Sequence, residues 1–206
     1  MRTLRGAVES ETEIKRSRFV CALAPVFDED EAKEFLQQQR RHHPDARHHC
    51  SAWVLGDGGS TQRSSDDGEP GGTAGVPMLE ALHRNEVTNA VAVVARYFGG
   101  TLLGAGGLVR AYGGAVSAAL DEVGTVPLRA VRLVSTTVDY GLAGKLEHAL
   151  RSAGHRIGEI DHGESVRFDV HVPDSEVAAF TTWLSETTAG AAQAEPGELL
   201  RAEADL

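Results

Sequence analysis

The segment RSSDDGEPGGTAG, residues 63–75, carries three carboxylates, Asp66, Asp67 and Glu69, among four glycines and one proline. It lies within residues 56–75, where the sequence shows neither helical nor strand periodicity, and loops of that length are usually functional or disordered. Closely spaced carboxylates can bind Mg²⁺ or Ca²⁺ through their oxygens. The calcium-loop pattern D-x-[DN]-x-[DN]-G is absent, however. The favoured interpretation is therefore that the acids organise the loop, with Asp66 and Asp67 either capping its turn or pairing with Arg63, Arg96 or Arg110. No metal site is predicted.

A second candidate for chemistry is the segment VVARYFGGTLLGAGGLVRAY, residues 93–112, in which an apolar run leads through glycines into a predicted helix. Glycines let backbone N–H groups approach a ligand, and a helix N-terminus presents unpaired N–H groups to anions. Arg96 and Arg110 flank the glycines and could face the same phosphate or carboxylate. The loop lacks the lysine of a Walker A motif, and Val109 stands where G-x-G-x-x-G needs its last glycine. Tight packing alone explains the glycines equally well.

The tract RHHPDARHHC, residues 41–50, holds four of the nine histidines beside a cysteine and raises the question of zinc. Neither H-E-x-x-H nor C-x-x-C occurs, so structural histidines are the favoured interpretation. If the tract ends in a strand, His48 and Cys50 face one side and His49 the other. The nucleophile pattern G-x-S-x-G is absent as well. We assign no catalytic residue, and the sequence favours a protein that is not an enzyme.

Composition limits the class of protein. The 206 residues are 41% hydrophobic and 24% charged, which is typical of a globular chain with one large or two small domains. The formal net charge is -10, so any contact with RNA needs a local basic patch, and DNA binding is not expected. No apolar run suits a bilayer, and the N-terminus lacks the apolar region of a secretory signal. Two cysteines fit a reducing cytoplasm, where we expect the protein.

The first part of the chain reads as alternating strands and helices. Apolar alternation or apolar runs predict the strands, and amphipathic spacing with acids first and bases last predicts the helices. The predicted strands are 17–27, 46–56 and 88–98, and the predicted helices are 28–43, 76–84 and 108–123. Residues 124–128, GTVPL, are predicted to be a linker.

The second part of the chain reads as a separate unit with the order βαββαβ. The predicted strands are 131–140, 155–163, 164–172 and an edge strand at 192–197, and the predicted helices are 141–154 and 174–188. Asp174 is the expected N-cap of the last helix. This order is typical of a ferredoxin-like sandwich of helices on an antiparallel sheet. We therefore predict an α+β protein with two domains, residues 1–127 and 128–206.

Three segments, HHCSAWVLGD, RSSDDGEPGGTAGVPML and VARYFGGTLLGAGGLVRAY, resemble the YigZ/IMPACT family in their order and separations across residues 17–120. The part after about Arg129 looks like the small C-terminal domain of the bacterial members. The resemblance implies a two-layer α/β N-terminal domain with the fold of the second domain of ribosomal protein S5. It also implies a ferredoxin-like C-terminal domain similar to one in translocation factor G.

The same resemblance carries an expectation of function. Eukaryotic relatives regulate translation through protein contacts on the kinase-activation pathway of the stress response. The resemblance therefore implies a non-enzymatic, translation-linked regulatory protein whose partners are RNA, the ribosome or a translation-regulatory protein. The alternative is an enzyme or sensor that binds a small phosphorylated ligand in a glycine-rich cleft. No cofactor is expected, and nothing in the sequence matches the metal centre of a proline peptidase.

The predicted site joins the two polar segments. We expect the acidic loop to lie against the glycine-rich loop, with Asp66, Asp67 and Glu69 meeting Arg96 and Arg110 around a cleft. Glycines from both loops would allow close approach, and the charges would set their relative position. The predicted ligand-binding set is His48, His49, Arg63, Asp66, Asp67, Glu69, Gly72, Thr73, Arg96, Tyr97, Gly99, Gly100, Thr101, Gly106 and Arg110.

Overall fold

The computed structural model describes residues 1–203, with side chains as far as residue 200. It is an α+β protein that divides into two compact units, Met1–Pro127 and a second unit that begins at Leu128. Among residues 1–203 no helix combines the length and the apolar character needed to cross a bilayer.

The first unit is built on an antiparallel sheet of five strands in the order β2-β3-β6-β4-β5. Its strands are β1 Arg2–Leu4, β2 Val8–Ile14, β3 Ser17–Pro25, β4 His48–Leu55, β5 Thr61–Ser65 and β6 Ala90–Tyr97, and its helices are α1 Glu29–His42, α2 Gly75–Arg84 and α3 Ala105–Val123. β1 lies outside this sheet. It pairs with the first three residues of strand β7, which spans Thr125–Val138.

Both faces of the sheet in the first unit are covered. On one face Cys50 and Val94 pack against Met78 of α2 and Tyr112 of α3, and all four residues are fully buried. On the other face α1 packs over a smaller apolar cluster that includes Trp53. The alternation of strand side chains explains why β4 and β6 contribute to both clusters. The α/β arrangement predicted from the sequence is confirmed, and α1 adds a helix on its second face.

The local signals of α1 act as predicted. The side chain of Asp28 caps the helix by accepting hydrogen bonds from the N–H groups of Asp30 and Glu31, and the acids of the first turn suit the positive end of the dipole. α3 begins three residues before the predicted start, because Gly104 adopts a left-handed φ of 70° that turns the chain into the helix.

Three predictions for the first unit need correction. Thr61–Ser65 form strand β5 inside the segment without periodicity, since a mostly exposed edge strand needs only backbone pairing with β4 and no apolar alternation. β1 and β2 lie where the sequence predicts no strand. The predicted linker at 124–128 is wrong, because residues from Thr125 onward belong to β7 and Val126 is buried.

The second unit confirms the βαββαβ order, which runs β7, α4, β8, β9, α5 and β10. The elements after β7 are α4 Tyr140–Ser152, β8 Arg156–His162, β9 Val166–Pro173, α5 Val177–Thr187 and β10 Glu195–Glu203. The antiparallel sheet has the order β10-β7-β9-β8, as in a ferredoxin-like fold, and the helices bury residues such as Leu146 and Phe180 against it.

Two details of the second unit differ from prediction. Asp174 lies in a short 3-10 turn and makes no capping hydrogen bond to α5; it pairs instead with Arg132 at 2.8 Å. The last strand starts at Glu195 and extends well beyond residue 197, because it pairs along most of β7.

Candidate functional site

A cleft of about 320 Å³ opens at the end of the first unit's sheet where β6 ends and β4 begins. Its polar wall consists of Arg47, His48, Glu69 and Arg96, and the start of α3 adds Gly104 and Ala105. Its apolar wall consists of Pro70, Phe98, Leu102, Leu103 and Leu108. The acidic loop and the glycine-rich loop therefore do meet, and we call this recess the cleft from here on.

The contact between the two loops is a buried ion pair. Arg96 Nη1 donates to Glu69 Oε1 at 2.5 Å, and the two side chains are only 8% and 4% exposed. The hydroxyl of Tyr112 donates to the same carboxylate oxygen at 2.7 Å. Arg96 Nε is buried and has no hydrogen-bond partner. Oε1 of the carboxylate thus accepts two hydrogen bonds, whereas the guanidinium group keeps an unused donor in the wall of the cleft.

Asp66 organises the acidic loop through backbone contacts. Its carboxylate accepts hydrogen bonds from the N–H groups of Gly72, Ala74 and Gly75 at 2.8–2.9 Å, which caps the start of α2. Burial opposes the charged form, but the three N–H donors together outweigh it and lower the pKa of Asp66 below its ordinary value. Asp66 is therefore a structural anchor that caps the turn of the loop.

Asp67 ties the same loop to α1 and β4. Its side chain accepts from Arg40 Nη2 at 2.7 Å and from the N–H group of His49 at 2.7 Å. Burial raises the pKa of Asp67, but these two partners outweigh it and the net shift is downward. The carbonyl oxygen of Asp67 accepts from His48 Nδ1 at 2.8 Å, which fixes the orientation of the His48 ring at the edge of the cleft.

The three acids therefore diverge, each toward its own partners. Within residues 1–203 no group of three or more His, Cys, Asp or Glu side chains is arranged to hold a metal ion. The expected pairing with Arg110 is wrong, since Arg110 is exposed and lines a separate groove between α2 and α3 with Arg84. The expected pairing with Arg63 is also wrong, because Arg63 lies on β5 and pairs with Glu29 at 3.4 Å.

Other members of the predicted set support the loops without lining the cleft. Thr73 donates its hydroxyl to the carbonyl of Pro70 at 2.6 Å. Gly99 lies so close to the β2–β3 turn that an added Cβ would come within 2.0 Å of the backbone of Arg16. Gly72 and Gly100 have left-handed φ angles of 75° and 83°. Thr101 and Gly106 are exposed beside the start of α3.

His49 and Tyr97 belong to the other side of the sheet edge. As alternation requires, His49 points away from Cys50, and its Nε2 donates to the carbonyl of His43 at 3.0 Å. The Tyr97 hydroxyl bonds to His43 Nδ1 at 2.9 Å, and its ring lies under the guanidinium group of Arg18 at 5.0 Å. Neither residue lines the cleft.

Cys50 is placed for structure. Its thiol donates to the carbonyl of Asp66 at 3.0 Å, and burial raises its pKa to about 12. A thiol that stays protonated at neutral pH is a poor nucleophile, so the tract of histidines and Cys50 does not form a thiolate site.

Several residues of the cleft are absent from the set predicted from the sequence, among them Arg47 and Phe98. Phe98 is 44% exposed, and its ring lies 6.0 Å from the Arg47 guanidinium group and 5.7 Å from that of Arg96. One signal was available: Phe98 is a large aromatic residue placed directly between a buried strand and a glycine pair. Leu102, which is 83% exposed, offered a similar signal.

Each of the two units matches a known domain family. The family model described as the Impact N-terminal domain matches residues 15–120, and a domain of unknown function, DUF1949, matches residues 136–191. A solved crystal structure described only as that of a hypothetical protein superposes with a TM-score of 0.69 at 39% identity, covering 96% of this chain and 97% of the other.

Two curated relatives agree with these matches over nearly their full length. The chain is 45% identical to IMPACT family member YvyE of Bacillus subtilis over 96% of this chain and 91% of the relative. It is 42% identical to IMPACT family member YigZ of Escherichia coli over 88% of this chain and 90% of the relative. With both domains matched in order, this chain belongs to the IMPACT family.

Proposed function

We propose that the first unit binds single-stranded RNA of the translation apparatus, and that the protein regulates translation through this contact without catalysing a reaction. The observation that carries the proposal is the partly exposed ring of Phe98 in the wall of the cleft, with the guanidinium groups of Arg47 and Arg96 6.0 Å and 5.7 Å from its centre. RNA-binding proteins stack unpaired bases on aromatic rings and hold the backbone with arginine.

The net charge of -10 disfavours RNA binding unless positive side chains cluster locally, and such a basic rim is present. Lys15 and Arg16 form the two-residue turn between β2 and β3, and both are exposed. This turn lies beside the segment after β6, since Gly99 contacts the backbone of Arg16. Arg47 is exposed at the neighbouring end of β4. Positive side chains therefore collect at the same end of the sheet as Phe98.

Acidic residues at this end of the sheet are partly neutralised. Glu11 forms an ion pair with Arg18 at 2.7 Å, and Asp67 forms one with Arg40 at 2.7 Å. Glu69, the one acid in the cleft wall, is paired with Arg96. Glu13 near Lys15 and Asp45 near Arg47 are also exposed, so binding of phosphate groups at the rim requires the positive side chains there to outweigh them.

The sheet of the second unit, as far as its residues are described, offers no comparable stacking surface. On β7 to β10, within the described residues, Phe168 is the only Phe, Tyr or Trp, and it is buried in the core. Ferredoxin-like modules that read RNA on their sheet expose aromatic rings there. We therefore assign RNA binding to the first unit.

The test is binding of a fluorescently labelled single-stranded RNA, measured by anisotropy at about 50 mM and about 200 mM KCl. We expect affinity to fall with salt, and Phe98→Ala to weaken binding by about tenfold, in the range of one lost base stack. Arg47→Ala should weaken binding and also reduce the salt dependence. Arg63→Ala is the matched control, because it removes an arginine that does not line the cleft. Arg63 lies on β5 opposite Trp53, and Trp53 is five positions along β4 from His48.

Two results would count against this function. One is the absence of any salt-sensitive association with RNA or with ribosomal fractions. The other is a Phe98→Ala variant that binds as tightly as the unsubstituted chain.

The second candidate function, recognition of a small phosphorylated ligand, is favoured by one observation. α3 starts without a side-chain cap, and Arg96 Nε is buried without a partner beside the same cleft. A thermal-shift screen with nucleotides tests it, because a ligand at a hundred times its dissociation constant adds about 2.7 kcal/mol to stability. A shift that disappears in Arg47→Ala, without any RNA binding, would favour this candidate over the first.

A further inference from the structure

We infer that the cleft receives the terminal nucleotide of an RNA strand and recognises its end by a phosphomonoester. This inference rests on the proposed function, because it specifies which part of an RNA the first unit would hold. It follows from the shape of the cleft, from the donors at one end of it and from the apolar groups at its mouth.

The shape of the cleft favours a chain end over an internal nucleotide. Its inner wall consists of Arg96, Glu69 and Leu108, which are all at least nine-tenths buried. These buried side chains close the cleft on one side, so a nucleotide enters it from the mouth. The volume of about 320 Å³ lies at the lower end of the range for small-molecule pockets, which suits one nucleotide.

The start of α3 and Arg96 supply the donors that would hold a phosphate. The helix has 19 residues, and its N-cap Gly104 supplies no side chain, so the N–H groups of Ala105 and Gly106 lie outside the helical hydrogen-bond ladder. Such N–H groups and the positive end of the dipole form an anion site. Arg96 Nε is an independent indication, since it is a buried donor without a partner in the wall of the same cleft.

The charge balance favours a terminal over an internal phosphate. Glu69 and Arg96 together are neutral, so the attraction must come from the helix start and from Arg47. A phosphomonoester carries a charge of about -1.5 to -2 at neutral pH and offers three terminal oxygens. An internal phosphodiester has a single charge and two such oxygens. A site of several converging donors therefore gains more from the monoester.

The apolar wall is placed to hold the rest of the nucleotide. Phe98 and Leu102 are both exposed at the mouth, and Phe98 offers a ring face for a base. Exposed apolar side chains next to an anion site suit a ligand with a charged end and a flat apolar body.

The experiment compares oligonucleotides with equal numbers of phosphates. An RNA octamer with a 5′-phosphate and one with a 3′-phosphate are each measured against a nonamer of the same composition with hydroxyl ends. We expect one of the two phosphorylated octamers to bind about tenfold more tightly than the nonamer, the effect of charge-assisted hydrogen bonds to a single phosphate.

Ala105→Pro is the diagnostic variant. Ala105 is the first residue of α3, where proline is well tolerated, and the substitution removes its N–H donor without breaking the helix. It should abolish the preference for the phosphorylated octamer over the hydroxyl-ended nonamer. Ala105→Ser keeps the N–H group and should retain the preference.

The outcomes separate the inference from the function on which it rests. If RNA binds but the octamers and the nonamer bind equally, the inference is wrong and RNA binding stands. If a free nucleoside monophosphate binds as tightly as the phosphorylated octamer, the occupant is a small ligand and not a strand end. If no RNA binds, the proposed function and the inference fail together.

Discussion

Glu69 and Arg96, 27 positions apart in the sequence, form a 2.5 Å ion pair that is almost completely buried beneath the cleft. Tyr112 adds a hydrogen bond from α3 to the same oxygen. Through this one carboxylate the acidic loop, strand β6 and helix α3 are held together. The position of the cleft's walls therefore depends on a contact that no local sequence feature encodes.

Removing one partner of this pair should be costly. We expect Glu69→Ala to lower the free energy of unfolding by about 3–5 kcal/mol, because it leaves the Arg96 charge buried and unpaired. Denaturant unfolding measures the change. The matched control is Glu11→Ala, which breaks a solvent-exposed pair with Arg18 and should lower the free energy of unfolding far less. Equal effects of the two substitutions would contradict this role for the buried pair.

Asp66 should stabilise the acidic loop through its three backbone hydrogen bonds. Asp66→Ala removes the cap of α2, and we expect a loss of about 2 kcal/mol, with Asp66→Asn intermediate because an amide oxygen still accepts. Since the pKa of Asp66 is lowered on folding, its contribution is present above the ordinary pKa and is lost as the pH falls through the folded value. The acid limb of the stability profile should therefore be shallower in Asp66→Asn.

Gly114 and Gly99 should respond in opposite ways to alanine. An added Cβ at Gly114, on the exposed side of α3, meets nothing within 4 Å, so Gly114→Ala should raise stability by about 0.5–1 kcal/mol. At Gly99 the added atom would meet the backbone of Arg16 at 2.0 Å, so Gly99→Ala should lower the melting temperature. A Gly99→Ala variant as stable as the unsubstituted chain would show that this loop is not held against the β2–β3 turn.

The second unit should lose stability as the pH falls from about 7 through the ordinary histidine pKa of about 6.5. Burial lowers the pKa of His155, whose ring lies 4.9 Å from the rings of both Phe180 and Trp183. The folded state therefore binds fewer protons than the unfolded state below the ordinary histidine pKa of about 6.5, and protons favour unfolding. His155→Phe keeps the aromatic packing and should flatten this dependence, whereas the exposed His42→Gln should not. The measurement is the free energy of unfolding of the three proteins as a function of pH, and an unchanged pH dependence in His155→Phe would contradict the prediction.

Neither thiol should react in the folded protein. Cys21 and Cys50 are both buried, and burial raises the pKa of each well above neutrality. Titration with a thiol-reactive disulfide reagent should detect no reactive thiol under native conditions and both after denaturation. Rapid modification of Cys50 in the native protein would point to an open path from the cleft to β4.

The sequence by itself determined the elements whose signals are local. The acids and bases at the ends of α1 were enough to predict that helix. Apolar alternation and amphipathic spacing in the second unit were enough to predict its βαββαβ order. The motifs of the acidic and glycine-rich segments were enough to indicate the family. These features are readable because helix periodicity, capping and strand alternation depend on residues a few positions apart.

Only the tertiary structure decided the partners and the walls of the cleft. Arg96, Arg110 and Arg63 carry the same charge, and their order in the chain does not distinguish them. Arg96 meets Glu69 because β6 and the acidic loop end at the same edge of the sheet. Arg110 instead faces the groove between α2 and α3. Arg63 lies on β5, an edge strand that forms only through its pairing with β4. Such contacts join residues far apart in sequence, so they follow from how the elements pack and not from the composition of any one segment.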